Sequence, residues 1–154
     1  MSPDEVARRA AEAMWAGDVA SQALGMELLD VGAGRATLRM RIREDMLNGH
    51  AIGHGGFTFS LADSAFAFAC NSYNRSTVAA VCEIRFLAPT RLGDVLVADA
   101  VERSREGRDG VYDIVVRTGD TVVAEFVGRS KEIRGTLFAP EPPPQPAAGP
   151  GKED

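Results

Sequence analysis

The sequence predicts an α+β chain in which a curled antiparallel sheet wraps around one long central helix. Three observations carry this reading. Patterned segments come in the order helix, two strands, one long helix, four strands. The long helix carries Phe57, Phe59, Leu61, Phe66, Phe68 and Cys70 on several sides, so it is buried on nearly all of them. The second strand alternates apolar and polar positions and the later strands are separated by short turn signals, which suits an antiparallel sheet with one covered face.

Each element has its own signal. Ser2-Pro3-Asp4-Glu5 reads as a capping box with proline at the first helical position. That helix should run to about Ala16, where Gly17-Asp18 stops it. A short helical piece from Val19 to Ala23 ends at Gly25. Met26–Val31 and Arg35–Arg43 read as a hairpin across Gly32-Ala33-Gly34, with Ala36, Leu38, Met40 and Ile42 on one face. Residues 44–53 form a loop, and the next breaker-free stretch runs from His54 to about Tyr73. Its centre, Phe57–Cys70, is too long for one strand. Strands then follow at Thr77–Phe86, Val95–Ser104, Val111–Arg117 and Thr121–Ile133, with turns at Pro89–Gly93, Glu106–Asp109 and Gly119-Asp120.

Bulk properties narrow the function. A chain of 154 residues suffices for one domain with a real core. We place that domain at residues 1–137 and a disordered proline-rich tail at residues 138–154, because APEPPPQPAAGPGKED cannot bury apolar surface. The net charge of −5 does not draw nucleic acid or anionic lipid. No unbroken apolar stretch is long enough to span a membrane, and the N-terminus lacks a secretory core. Cys70 and Cys82 sit in apolar sequence, which reads as free thiols in a cytoplasmic protein.

The chemistry concentrates in NGHAIGHGGFTFSLAD, residues 48–63. On the long helix Gly56, Ser60, Asp63, Ser64, Ala67 and Asn71 form one narrow stripe of small or polar residues. A water-facing stripe normally carries Lys and Glu, so this one suits a close contact or a site. Phe59 and Phe66 lie at i−4 and i+3 from Asp63, and desolvation there favours general-base or nucleophile work. The alternative is an acid that only hydrogen-bonds within the fold. Gly55 and Gly56 start the helix and let a ligand oxygen approach its N–H groups, the makings of an oxyanion hole. The same pair also simply turns a chain.

Spacing discriminates further. Gly55 and Asp63 are eight residues apart, about 12 Å along a helix. Both groups of one site must lie within about 3 Å of the reacting atoms. One subunit cannot supply both; two antiparallel helices across a two-fold axis can. The spacing therefore predicts a homodimer with shared sites. His50 and His54 have zinc-like H-x3-H spacing with Asp63 as a third ligand, but Gly49 and Gly53 disfavour one helix through both, and no metal is expected. No G-x-S-x-G elbow supports a serine triad. His54 instead caps or fixes the helix entry, His50 lies in the site loop, and Asn48 either orients water or the acyl carbonyl or is an ordinary turn residue.

The segment LNGHAIGHGGFTFSLADSAFAFACNS resembles the signature of the PaaI-type hotdog thioesterases of phenylacetate degradation. RFLAPTRLGDVLVADA, GVYDI and SKEIRGT fit the same family in order, over roughly Ala10 to Thr136. The resemblance implies the hotdog fold and a cytoplasmic acyl-CoA thioesterase acting on phenylacetyl-CoA and ring-hydroxylated relatives. It implies Asp63 as the family aspartate, Gly55 as the helix-start glycine, Asn48 as the asparagine, and Ser64 where threonine is frequent. It also implies dimers paired into tetramers and no cofactor beyond the coenzyme A of the substrate. For that substrate, Arg91, Arg129, Lys131 and Arg134 are candidate phosphate ligands, and Val78 and Ala79 a candidate rail for the pantetheine arm. Phe59, Phe66, Trp15 and Leu24 are candidates around the acyl group, and Gly56 at the helix start is a further substrate-binding candidate. Rival readings are a hotdog hydratase or dehydratase using His54 with Asp63, and a non-catalytic acyl-CoA carrier or sensor.

Overall fold

The computed structural model describes residues 1–140 and Pro146. Helix α1 spans Pro3–Gly17 and α2 spans Val19–Ala23. Strands β1 (Glu27–Gly32) and β2 (Arg35–Arg41) precede α3 (Gly55–Cys70). Strands β3 (Thr77–Phe86), β4 (Val95–Glu106), β5 (Asp109–Thr118) and β6 (Thr121–Glu132) follow. One sheet of six strands has the order β1-β2-β4-β5-β6-β3. Every neighbouring pair is antiparallel. This is the curled-sheet, central-helix architecture expected from the pattern of elements.

Local chemistry explains the boundaries. The Ser2 side chain accepts from Glu5 N–H, and the Glu5 side chain accepts from Ser2 N–H, closing the capping box. The β4–β5 turn is tighter than expected, because pairing persists to Glu106 and Asp109. Gly107 makes this possible with φ of +59°, a conformation costly for other residues. Past α3, Asn71 works as a clamp: its Nδ2 donates to Ala67 O and Thr77 O, and its Oδ1 accepts from Thr77 N–H. The last member of the polar stripe thus joins α3 to β3 and is buried.

The core lies between α3 and the inner face of the sheet. Leu38 and Met40 of β2, Leu96 and Ala98 of β4, and Ile114 of β5 are fully or nearly fully buried there. Phe66 and Phe68 of α3 fill the layer, with Phe66 tilted against Tyr112 and Phe126. Each such aromatic contributes roughly 1.5–3 kcal/mol by leaving water. Burial of α3 on nearly all sides is not reached within one chain. Ser60, Asp63, Ser64 and Ala67 remain half-buried and Gly56 exposed, so the small-residue stripe faces away from the chain's own sheet.

Edge strand β3 is also uncovered, with Val78 46% and Val81 57% exposed. Phe138, expected at the start of a free tail, is tied down instead. Asn74 accepts from its N–H and donates to its carbonyl, and the Arg9 guanidinium sits 4.4 Å from its ring centre. Residues 141–145 and 147–154, and the expectation of disorder there, lie outside the described residues.

Candidate active site

The start of α3 is built by backbone ties from three directions. His54 N–H donates to Met46 O at 2.7 Å, and Gly53 N–H donates to Thr90 O at 2.8 Å. His54 is the N-cap, and its Nδ1 accepts from Gly56 N–H at 2.9 Å. Phe57 N–H returns to His54 O at 3.0 Å. Gly55 N–H is left with no protein acceptor among the described residues. It points from the positive end of the helix and is free to meet a ligand oxygen. Gly56, the other candidate amide, has spent its proton on His54.

Position 55 lies close under the exposed ring of Phe86, which a side chain there would have to push aside. A Cβ there would lie 2.9 Å from Cζ of Phe86, the last residue of β3. The preceding loop is held just as closely. Asn48 N–H donates to Ile52 O at 2.8 Å, and Asn48 Oδ1 accepts from His50 N–H at 2.9 Å and Ile52 N–H at 3.4 Å. Because Oδ1 is occupied, the amide group of Asn48 offers its Nδ2 donors outward.

Asn48 and Gly55 share a cleft of about 430 Å³ with Thr58, Phe86, Pro89 and Thr90. Thr90 is 4% exposed, and its Oγ1 has no hydrogen-bond partner among the described residues. It sits where a side chain on Gly53 would be: a Cβ there would come within 1.9 Å of the hydroxyl. Turn geometry between β3 and β4 delivers Thr90. No pattern in the local sequence distinguishes it from an ordinary turn threonine.

Asp63 lies two turns further along α3. Burial pushes its carboxyl above the ordinary carboxylate range. Its Oδ1 faces Cys82 Sγ of β3 at 4.0 Å. Cys82 is half-buried, and burial followed by the Asp63 charge pushes its thiol pKa up. Cys70 is buried, and its thiol is pushed up to about 12, chiefly by burial. Ser64 turns toward α2, where its Oγ lies 2.8 Å from Ser21 Oγ. Within one chain, Asp63 is held away from the Gly55 cleft by the rise of α3 itself.

Other candidates are not gathered there. Phe66 is a core residue rather than an acyl-pocket wall: its ring covers Gly128 of β6. Phe59 meets Phe126 edge-on at 5.2 Å. Trp15 and Leu24 pack against the core, Trp15 beside Phe68 at 6.1 Å. Arg91 is exposed in the turn next to Thr90, with its N–H on Asp94 Oδ2 at 2.8 Å. Lys131 sits at the far end of β6, opposite Val78, and is paired with Asp109 at 3.0 Å. Arg129 is exposed on the same strand, and Arg134 lines a separate cleft with Arg75 and Arg108. Val78 and Ala79 are exposed on the β3 edge. His50 is exposed at the loop tip, and no group of three or more metal-ligating side chains gathers among the described residues.

The curled six-stranded sheet around one long helix has counterparts among known proteins. Residues 50–125 match the model of the thioesterase superfamily. The chain is 45% identical over 106 residues to acyl-coenzyme A thioesterase PaaI of Escherichia coli, covering 69% of this chain and 76% of the relative. The solved structure of E. coli PaaI, from the phenylacetic acid degradation operon, superposes with a TM-score of 0.86 at 43% identity, over 88% of this chain and 99% of that one. A mutant form of the phenylacetic acid degradation protein PaaI from Thermus thermophilus superposes at TM-score 0.72 and 34% identity, over 73% of this chain and 97% of that one. The chain therefore belongs to the thioesterase superfamily, as a hotdog protein of the PaaI type.

Proposed function

We propose that the protein hydrolyses acyl-CoA thioesters, of the phenylacetyl and hydroxyphenylacetyl class, to the free acid and coenzyme A. The observation that carries this is the pairing, on one helix of a PaaI-type chain, of an unspent amide at Gly55 with a desolvated carboxylate at Asp63. The name of the E. coli relative and the operon of its solved structure support the substrate class.

In the reaction, the thioester carbonyl accepts from Gly55 N–H, and the helix dipole favours the charge that grows on oxygen. The Nδ2 of Asn48 serves as a second donor in the same cleft. The partner subunit's Asp63 takes a proton from water as the water oxygen bonds to the carbonyl carbon. The tetrahedral intermediate then expels the CoA sulfur with its electron pair, and the thiolate is protonated on leaving. Direct attack by Asp63, through a mixed anhydride, gives the same products. Neither route calls for a metal or redox cofactor. The exposure of Arg91 and its position next to Thr90 support it as a ligand for a CoA phosphate.

Two features support the shared-site dimer. The edge of β3 presents exposed Val78 and Val81, a surface that a second copy can cover by strand pairing. The small residues of the α3 stripe allow two helices to approach closely. Pairing of two such dimers into a tetramer, and a cytoplasmic location where acyl-CoA thioesters occur, complete the proposal. Free-thiol release should be assayed on a panel of aryl-acetyl, short-chain and long-chain acyl-CoA esters, with mass measured by light scattering. Aryl-acetyl-CoA is expected to be turned over fastest, by a dimer or tetramer. Silence on every aryl-acetyl ester, or activity in a monomer, would sink the reading.

A further inference from the structure

Ser64, the neighbour of Asp63, ends a hydrogen-bond chain that leaves α3 altogether. Ser64 Oγ lies 2.8 Å from Ser21 Oγ on α2. Ser21 Oγ in turn lies 2.7 Å from Asp18 Oδ2. The other oxygen, Asp18 Oδ1, accepts from Ser21 N–H at 2.9 Å, so the carboxylate is held at both ends. Ser21 is 2% exposed, which leaves its hydroxyl few partners outside this chain.

Counting protons gives the chain a direction. A carboxylate only accepts, so Ser21 donates its single hydroxyl proton to Asp18. Toward Ser64, the Ser21 oxygen can then offer only a lone pair. Ser64 must donate its own single proton to Ser21. Its remaining lone pairs are what Ser64 presents to anything beside Asp63.

We propose that Asp18 and Ser21 are positioning residues that fix Ser64 as a hydrogen-bond acceptor, so that the attacking water is held between two acceptors, the Asp63 carboxylate and Ser64 Oγ. This rests on the thioesterase reading above. A water that gives one hydrogen to each acceptor has its lone pair left to aim at the thioester carbon. A freely rotating Ser64 would also offer its proton to the water and turn that lone pair away. The chain itself moves no proton: Asp63 takes the proton from water, and the Ser64–Ser21–Asp18 bonds stay as they are.

The test is a double-mutant cycle on aryl-acetyl-CoA hydrolysis, joined by one variant that reverses the chain. S21A removes one oxygen and keeps the α2 cap, which uses the Ser21 backbone. It should lower kcat about five- to tenfold with KM nearly unchanged, in line with couplings between hydrogen-bonded neighbours. In an S64A background, S21A should change kcat by less than about twofold. D18N keeps an oxygen for Ser21 N–H, so its amide NH₂ must face Ser21 Oγ. Ser21 then donates to Ser64, and Ser64 donates into the site. D18N should therefore lower kcat about tenfold or more, while the melting temperature stays close to that of the parent. A normal kcat in S21A or in D18N, or an S21A loss of the same size with and without Ser64, overturns the proposal. If either variant fails to fold, the other decides. A parent enzyme that releases no thiol refutes the thioesterase reading and this inference with it; an active parent with indifferent variants refutes this inference alone.

Discussion

The ring face of Phe66 covers Gly128. A Cβ on that glycine would meet three ring carbons at 2.8 Å. Phe66 is fully buried, and Tyr112 and Phe126 hold it from the sides at 5.6 and 6.1 Å. The ring has nowhere to retreat. Gly128→Ala should therefore destabilise the fold by about 1–3 kcal/mol, the usual cost of overpacking a core. Calorimetry or urea unfolding would measure it, and an unchanged midpoint would show that the helix can lift off the sheet.

Asp63 sets activity against stability. Its carboxyl is pushed up by burial, so the folded chain takes up this proton at higher pH than the unfolded chain does. Charge on Asp63 thus costs stability above the folded pKa. That cost is relieved as pH falls through the folded value toward the unfolded one. Asp63→Asn should raise the melting temperature at pH 7 while lowering kcat by at least about 10²-fold, the contribution of a positioned base. A variant that loses both activity and thermal stability would mark Asp63 as a structural acid.

The same shift fixes the acid limb of the pH profile. The proposed mechanism needs the carboxylate form, so kcat/KM should fall with decreasing pH at a midpoint above about 3.9, the ordinary aspartate value. A limb at or below that value would mean that the desolvation is lost in the working enzyme.

Thr90 hides a hydroxyl that bonds to nothing among the described residues. Thr90→Val keeps the branched shape and replaces that hydroxyl with a methyl group. Stability should hold or rise by up to about 1 kcal/mol, because no protein bond is lost with an unpaired buried polar group. Because the hydroxyl is shut away against Gly53 rather than open to the cleft, KM for aryl-acetyl-CoA should stay unchanged. Thermal melts and steady-state kinetics read the two effects separately.

In the proposed shared-site dimer, activity depends on the β3 edge. Val81→Lys places a charge where the strand is exposed and apolar. It should convert the protein to a monomer by light scattering and abolish thiol release, with the sheet intact by circular dichroism. An active monomer would contradict the eight-residue argument from Gly55 and Asp63.

The elements are legible in the sequence because their signals are local. Alternation in β2 and the capping box at Ser2 lie within a few consecutive residues. The acid and the amide are legible because both sit on one helix, where spacing converts directly into distance. Phe66 reads as a pocket wall and is not one. A helical projection separates faces but does not say which one meets the sheet, and the residue that decides it, Gly128, lies on the last strand. Thr90, Ser21 and the approach of Cys82 to Asp63 escape the sequence for the same reason. Each matters through a contact between distant segments, with no periodicity to announce it. Lys131 is a candidate by charge alone, and charge carries no information about which end of β6 it occupies.

The strand order has a consequence for how the protein is made. Strand β3 touches the sheet only through β6, the last strand of the sheet in chain order. During synthesis the segment TVAAVCEIRF therefore leaves the ribosome with no sheet neighbour on either side. It stays so until residues 121–132 arrive, two hairpin arms later. Such late, long-range pairing slows folding and exposes an aggregation-prone segment in the meantime. A chain stopped short of Thr121 would keep a strand with two open edges, and nascent or truncated forms should be the ones that chaperones hold.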